Sequence, residues 1–192
     1  MKITLATSSK FKSDILKKSG IKHTCLNTDA EELSCKKNIF EYTMEISAIK
    51  ARACANMVSE GIVIGLDTVV DINGLIIEKP KTIEEGKNNL RMASNNVTKV
   101  ITGITLINLD TEEVETTTQT TSIYMKKITE EELDYYISNE SDILNVSGFV
   151  FENIASCFID RIEGSYYNIL GGPVEKIYEI LKKQNVKLSE LD

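Results

Sequence analysis

The chain has 192 residues, of which 42% are hydrophobic and 27% are charged, and its formal net charge is −7. This length suits one substantial core or two small lobes that share a sheet. The acidic balance disfavours duplex nucleic acid and anionic membranes as partners. The four cysteines contain no C-x-x-C pair, and with the single histidine they match no known zinc spacing. Because no segment resembles a signal-peptide core or a membrane span, we expect a cytoplasmic protein with reduced thiols.

The first predicted elements are a short buried strand and a helix joined by a polar loop. Residues 3–6 form the strand segment, and the "TSS" that follows leads into a helix with Ser9 as its N-cap and Gly20 as its stop. Free backbone N–H groups at such a helix start suit a phosphate. The predicted buried stripe of this helix consists of Phe11, Ile15 and Leu16.

The longest helical pattern covers residues 40–59. Apolar residues recur there at spacings of three and four, which predicts an amphipathic helix that ends before Gly61. The predicted stripe is Tyr42, Ile46, Ile49, Ala53 and Met57. Lys50 borders this face, either as a solvated lysine whose stem follows the helix surface or as a residue of a cleft.

A β-hairpin is predicted within residues 61–80. The dipeptide Asn73-Gly74 is the preferred sequence for a two-residue hairpin turn, and it would pair Ile72 with Leu75. The apolar run before the hairpin is typical of a strand that is covered on both faces.

Charged and polar residues mark the open end of this hairpin. Continued pairing would place Thr68 opposite Lys79 and bring Asp67 and Glu78 to the same end. Carboxylates and lysines at a strand end suit phosphate chemistry, because carboxylates hold a divalent metal and lysines neutralise phosphate oxygens. The plainer alternative is that these charges are only solvated.

The remaining chain alternates strands with helices. Capping boxes begin two helices, and a Gly-Pro pair precedes the last one. The predicted helices begin at Thr82, Thr129 and Pro173, and the predicted strands cover residues 97–109, 114–125 and 149–162. This order predicts an α/β fold with a mixed sheet.

Several common catalytic arrangements are disfavoured. A serine or cysteine hydrolase would have to use His23, which lies in an undistinguished polar segment. The sequence contains neither a Walker-type phosphate loop nor a G-x-G-x-x-G motif. The carboxylates and lysines described above therefore remain as the candidates for chemistry.

Six short blocks, in order along nearly the whole chain, resemble the Maf family of nucleoside triphosphate pyrophosphatases. "LATSSKFKSDIL" resembles the family's N-terminal motif, and "IKARACA" resembles its E-K-A helix segment. "IGLDTVV" with "IEKP" resembles its central G-A-D-T-V-V and K-P motifs. "VITGITL" and "IEGSYYNILGGPV" resemble the following strand and the closing motif. The resemblance implies one domain over residues 1–192, with an elongated mixed β-sheet flanked by helices in two lobes around a central cleft.

The resemblance also implies an activity and roles for particular residues. The reaction is hydrolysis of a nucleoside triphosphate between its α and β phosphates, with Mg²⁺ or Mn²⁺ as the cofactor. Asp67 matches the family's water-activating base, and Glu31 (or Glu32, since the register shifts here) would join it at the metal. The predicted triphosphate contacts are Lys50, Lys79, Thr7 and Ser9.

Departures from the family pattern concern the substrate. Phe11 and Lys12 replace a pair of arginines, so the bidentate phosphate contacts of arginine are absent. Thr68 matches the branch of the family that acts on dTTP and UTP, whereas the aromatic Phe11 and the acidic Glu152 resemble the branch that acts on 7-methyl-GTP. A cationic 7-methylguanine ring would stack on an aromatic face, and a carboxylate would accept from its N–H donors.

Three functional hypotheses follow from the sequence. The first is a pyrophosphatase for a pyrimidine or non-standard nucleoside triphosphate, with a small-molecule partner and neither nucleic acid nor a membrane. The second is a divergent nucleotide-binding or septum-regulating relative with little turnover, and the third is an ITP-type pyrophosphatase. A homodimer is compatible with the resemblance, although the sequence does not determine the oligomeric state.

Overall fold

The computed structural model describes residues 1–191, with the side chain of Leu188 left out. The helices are α1 (Lys10–Lys18), α2 (Ile39–Ala55), α3 (Ile83–Ala93), α4 (Glu130–Asn139), α5 (Tyr166–Ile169) and α6 (Val174–Lys183). The strands are β1 (Ile3–Ala6), β2 (Thr24–Leu26), β3 (Ile62–Ile72), β4 (Leu75–Ile77), β5 (Val97–Asn108), β6 (Val114–Met125) and β7 (Ile159–Glu163). In this part of the chain, no helix is both long and apolar enough to cross a membrane.

The strands form one seven-stranded mixed sheet, which confirms the predicted α/β class. The order is β2-β1-β3-β5-β6-β7, with β4 paired to β3 outside this path. The strand β1 runs parallel to both β2 and β3, whereas the pairs β3–β4 and β6–β7 are antiparallel. Such a sheet joins hairpins to crossover helices, as the alternation in the sequence predicts.

The predicted hairpin is present but shorter than expected. Asn73 and Gly74 have φ angles of 54° and 82°, which fits the left-handed turn that this dipeptide favours. The pair Ile72–Leu75 is confirmed, but the ladder ends at Val70 and Ile77. The predicted pairing of Thr68 with Lys79 is therefore wrong, because β4 ends at Ile77, two residues before Lys79.

The described chain divides into two compact units. Unit 1 comprises residues 1–68, 101–119 and 166 onward, and unit 2 comprises residues 69–100 and 120–165.

Unit 1 contains two apolar clusters, and successive residues of β3 contribute to them in turn. Ile62, Ile64 and Leu66 belong to the larger cluster, which also includes residues of α1, β5 and α6. Val63 belongs to the smaller cluster with Ala51 and Cys54 of α2. Because side chains alternate along a strand, this part of β3 presents one face to each cluster.

The helix α2 packs very closely on the sheet in unit 1. A Cβ built on Gly65 of β3 would overlap the backbone oxygen of Ser47, and one on Gly103 of β5 would overlap the backbone of Thr43. Only small side chains fit at such a contact. The buried face of α2 therefore includes the small residues Thr43, Ser47, Ala48, Ala51 and Cys54.

This close packing corrects the predicted apolar stripe of α2. Ile46 is buried as expected, but Tyr42, Ile49 and Ala53 are only half-buried and Met57 is 60% exposed. The larger apolar residues follow a stripe that is rotated away from the contact with the sheet, since the glycines of β3 and β5 leave no room for them.

Unit 2 is built around α3, α4 and a buried tyrosine. The predicted cap of α4 is a full capping box, whereas at α3 Thr82 accepts from the N–H of Glu85 and the Glu85 side chain accepts from Lys81 instead. Tyr136 of α4 is completely buried, and its hydroxyl accepts a hydrogen bond from the N–H of Val150 at 3.0 Å.

The strand predicted over residues 149–162 is mostly wrong. Only residues 159–163 form a strand (β7), and residues 154–158 form 3₁₀ turns. The N–H of Val150 bonds to Tyr136 instead of a neighbouring strand, and Gly148 has a left-handed φ of 81°. Local apolar periodicity cannot reveal such a side-chain partner, which is why the pattern suggested a longer strand.

We expect unit 2 to lose stability between about pH 10 and pH 12 because of Tyr136. Burial raises the pKa of Tyr136 to about 12 from an ordinary value of 10.0. The unfolded chain releases this proton at lower pH than the folded chain, so the stabilisation is complete below pH 10 and is lost as the pH rises through 12, by about 3 kcal/mol. Denaturant unfolding of Tyr136→Phe in this range should show a shallower decline than the wild type.

The matched control is Tyr135→Phe, since Tyr135 is the neighbouring residue and is 62% exposed. This variant should follow the wild-type curve. Equal declines for Tyr136→Phe and the wild type would show that the buried hydroxyl is not the source of the alkaline loss.

Candidate active site

Three parallel strands of unit 1 bring the predicted phosphate loop close to Asp67. Ala6 at the end of β1 lies opposite both Leu26 of β2 and Gly65 of β3. The segments that follow β1 and β2 therefore leave the sheet at the same edge, where β3 continues to Asp67. Ligands of open α/β sheets commonly bind at this carboxyl edge.

Asp67 and Thr68 project to opposite faces of the sheet, because they are consecutive residues of β3. Asp67 shares its face with Gly65, on which α2 rests, and Thr68 shares its face with Leu66 of the larger cluster. The close contact at Gly65 lets α2 bring a side chain to Asp67.

On the α2 face, one lysine joins two carboxylates. The Nζ of Lys50 donates to Oδ1 of Asp67 at 2.8 Å and lies 3.0 Å from Oε2 of Glu32. The Lys50 and Asp67 side chains are only 17% and 13% exposed, whereas that of Glu32 is 50% exposed. Lys50 is therefore a residue of a partly enclosed charge cluster and not a solvated helix-surface lysine.

The electrostatics keep Lys50 in its charged form. Burial acts to lower the pKa of the Lys50 ammonium, but the carboxylates of Asp67 and Glu32 outweigh it and raise the pKa above its usual value. With Lys50 protonated and both carboxylates ionised, these three side chains carry a net charge of −1. Such a cluster attracts a cation and orients the Asp67 carboxylate.

On the opposite face, Lys12 and Thr68 lie beside the glycine-rich turn that precedes α6. The Nζ of Lys12 donates to the carbonyl of Leu66 at 3.2 Å, and the hydroxyls of Thr68 and Thr102 are 3.1 Å apart. A Cβ on Gly171 would lie 3.3 Å from both Cε of Lys12 and Oγ1 of Thr68. Gly171 also has a left-handed φ of 76°, so glycine suits this position on two grounds.

The loop after β1 is folded by its own side chains. Thr7 accepts from the N–H of Ser9 at 3.0 Å, and Ser9 caps α1 by accepting from the N–H of Lys12. Ser9 as the N-cap is thus confirmed. Phe11, in contrast, is 51% exposed and does not belong to the buried face of α1, where Ser13 and Leu16 lie.

The predicted site residues fall in different units. Unit 1 contains Thr7, Ser9, Phe11, Lys12, Glu31, Lys50, Asp67 and Thr68. Lys79 and Glu152 belong to unit 2, and both are exposed. The structure brings Lys50 and Asp67 together and, separately, Lys12 and Thr68, while the roles of Lys79 and Glu152 stay predictions.

The family resemblance implies Glu31 or Glu32 as the second acidic residue, because its register shifts in the loop after β2. It is Glu32 that contacts Lys50, while Glu31 is exposed. Sequence reasoning missed Thr102 and Gly171, both of which lie beside Thr68. The "VITGITL" and "NILGGPV" blocks contain them and were the available signal, but neither block indicated a contact with Thr68.

The donor set near Lys50 fits a metal that arrives with a polyphosphate. Within residues 1–191, no three His, Cys, Asp or Glu side chains converge as a ready-made metal site. Asp67 and Glu32 nevertheless approach one ammonium from two sides. Mg²⁺ prefers oxygen ligands and is commonly bound by one or two carboxylates together with substrate phosphates and water. The two carboxylates match that pattern.

Comparison with known proteins first defines the class of fold. The structure resembles that of the Staphylococcus aureus Ham1 protein with a TM-score of 0.54 and 13% sequence identity, covering 96% of this chain and 100% of that one. This similarity concerns the fold alone and confirms the α/β architecture.

Sequence comparison then defines the family. A family model described as Maf-like protein matches residues 2–184, and the chain belongs to this family. A dTTP/UTP pyrophosphatase from Alkaliphilus metalliredigens is 33% identical over 95% of both chains. Relatives with the same name from Thermoanaerobacter sp. and Clostridium novyi are each 30% identical, covering 96% and 98% of this chain and 97% and 100% of their own. The family assignment made from the sequence blocks is thereby confirmed.

Proposed function

We propose that the protein is a nucleoside triphosphate pyrophosphatase of the dTTP/UTP type, which releases a nucleoside monophosphate and pyrophosphate. The observation that carries this proposal is the partly enclosed cluster in which Lys50 holds Asp67 at the carboxyl edge of the sheet. Relatives that share the full length of the chain bear the name dTTP/UTP pyrophosphatase.

The proposed reaction follows from the side chains of this cluster. A water molecule is deprotonated by the Asp67 carboxylate and attacks a phosphorus of the α–β anhydride, and the bridging P–O bond breaks to release pyrophosphate. Lys50 orients Asp67 through the 2.8 Å hydrogen bond. Because its pKa is raised, Lys50 also keeps a positive charge near the phosphates throughout the neutral range.

Further phosphate contacts come from the loop at the start of α1. Its Thr7–Ser9 turn and the Ser9 cap fix the backbone next to the carboxyl edge of β1. Lys12 lies on the other face of β3, where its ammonium donates to the carbonyl of Leu66 and would contact a phosphate oxygen of the bound substrate. Helix starts and lysines are both common phosphate ligands.

A divalent cation, Mg²⁺ or Mn²⁺, would be held by Asp67 with Glu32 or its neighbour Glu31. When bound, it would neutralise phosphate oxygens and hold the triphosphate near the cluster. The net charge of −1 on Lys50, Asp67 and Glu32 favours such an ion.

The base of the substrate divides the proposal into two alternatives. Thr68 and the names of the relatives favour dTTP or UTP. The exposed ring of Phe11 could stack on a base, and this residue and Glu152 are the features that favour 7-methyl-GTP. These contacts are part of the proposal, and a substrate panel distinguishes them.

The proposed function is tested by pyrophosphate release from a panel of nucleotides. We expect the purified protein to hydrolyse dTTP and UTP in Mg²⁺ or Mn²⁺ faster than CTP, ITP and 7-methyl-GTP, and to lose this turnover in EDTA. A preference for 7-methyl-GTP would reassign the substrate to the other branch. Tight binding of a nucleotide with no release from any would instead favour a regulatory relative and overturn the enzyme proposal.

A further inference from the structure

A line of three hydroxyls connects α2 to two strands of the sheet in unit 1 and runs from two buried residues to the exposed Thr116. The Oγ of Ser47 lies 2.8 Å from Oγ1 of Thr105 of β5, which lies 3.1 Å from Oγ1 of Thr116 of β6. Ser47 and Thr105 are both completely buried. Ser47 is also the residue whose backbone oxygen rests on Gly65, so this line begins where α2 is closest to β3.

The donor and acceptor of each hydrogen bond in this line can be assigned, because each hydroxyl has only one proton to donate. Ser47 has one hydroxyl proton, which it donates to the carbonyl of Met44 at 2.8 Å. It must therefore accept from Thr105, which in turn accepts from Thr116. Each of the three hydroxyl protons in this line has one acceptor, so the hydrogen bonds run in a single direction. They fix the position of Ser47 over the sheet.

The position of Ser47 determines that of Lys50. The two residues are three apart on α2, so they lie on neighbouring positions of one helix face. A shift or rotation of α2 at Ser47 would move Lys50 relative to Asp67. Such a movement would lengthen or bend the 2.8 Å hydrogen bond between Lys50 and Asp67 and so weaken it.

We propose that Ser47 and Thr105 are positioning residues, whose buried hydroxyl bond holds α2 so that Lys50 orients Asp67. They touch neither the substrate nor the reacting atoms and act through Lys50. This inference rests on the proposed function only for its effect on turnover, since the position of Lys50 can be measured independently.

The test compares three substitutions of threonine on the same strand. Thr105→Val removes the hydroxyl and keeps the branched shape, whereas Thr105→Ser keeps the hydroxyl. The matched control is Thr98→Val, because Thr98 is also completely buried on β5 and its hydroxyl has no hydrogen-bond partner among residues 1–191. Ser47→Ala removes the other hydroxyl in a residue that favours helix, and it carries the test should Thr105→Val fail to fold.

The first measurement is the rate at which Lys50 is acetylated by acetic anhydride, determined by mass spectrometry of its peptide. The second is kcat and KM for dTTP. We expect Thr105→Val and Ser47→Ala to accelerate acetylation and to lower kcat, each by about tenfold, with little change in KM. Thr105→Ser should keep the wild-type acetylation rate and kcat, and Thr98→Val should change neither of them.

Wild-type acetylation rates in both Thr105→Val and Ser47→Ala would overturn the inference. An equal effect of Thr98→Val would do the same, since it would indicate a general loosening of the fold. Should the wild-type protein hydrolyse no nucleotide, the proposed function fails, whereas the acetylation of Lys50 still decides whether the hydroxyls position this residue.

Discussion

Replacement of Asp67 by asparagine is expected to lower kcat for nucleotide hydrolysis by about three orders of magnitude. Asparagine keeps an oxygen that can accept from Lys50, but it cannot take a proton from water. Asp67 is 13% exposed and its partner Lys50 retains the second ion pair with Glu32, so the fold should persist. Steady-state pyrophosphate release and denaturant unfolding of the same samples separate chemistry from stability.

Asp71→Asn provides the matched control. Asp71 lies on the same strand four residues further on, is half-buried, and pairs through its backbone with Ile76 of the hairpin. This variant should retain wild-type turnover. Equal turnover rates for Asp67→Asn and the wild type would show that Asp67 is not the base. A nonspecific effect of removing a negative charge would lower turnover in both Asp67→Asn and Asp71→Asn.

The sequence predicted those parts of the fold that local signals determine. The Asn73-Gly74 turn, the Ser9 cap and the Thr129 capping box occur as predicted, because the residues concerned satisfy backbone requirements within a few positions. The predicted strand over residues 149–162 was mostly wrong, since a tyrosine from α4 takes the backbone N–H that the strand would have used.

The candidate site was predictable in its residues and only partly in its arrangement. Family motifs indicated Asp67 and Lys50, and the structure joins them by a hydrogen bond. The choice of Glu32 over Glu31 as the partner of Lys50 depends on the path of a loop without regular structure, where the family register shifts. Periodicity gives no information about such a path.

The apolar stripe of α2 shows why a helix pattern can mislead near a site. The side chains that pack on the sheet are small, because the contact is set by Gly65 and Gly103. Hydrophobic periodicity follows large apolar residues and therefore indicated a neighbouring face. The glycines were visible in the sequence, but their role requires knowing which helix crosses them.

Gly65→Ala is expected to lower the free energy of unfolding by about 3 kcal/mol. The added methyl would overlap the backbone oxygen of Ser47 and would lie 2.9 Å from both the Cβ and the nitrogen of Ala51. The backbones of α2 and β3 cannot move aside to relieve this overlap in the way that a flexible side chain can. The helix α2 must move away from β3, which should also separate Lys50 from Asp67 and reduce turnover in the fraction that folds.

Gly20→Ala isolates the effect of this contact from the general effect of replacing a glycine. Gly20 has a left-handed φ of 81° with no atom within 4 Å of an added Cβ, so the substitution should destabilise by only about 1 kcal/mol. Urea unfolding of both variants measures the difference. Equal destabilisation would mean that α2 does not rest on Gly65, and the hydroxyl line from Ser47 would then lose its geometric basis. A much larger effect at Gly65 would show that the absence of a methyl group there allows α2 to pack on β3, the contact that places Lys50 beside Asp67.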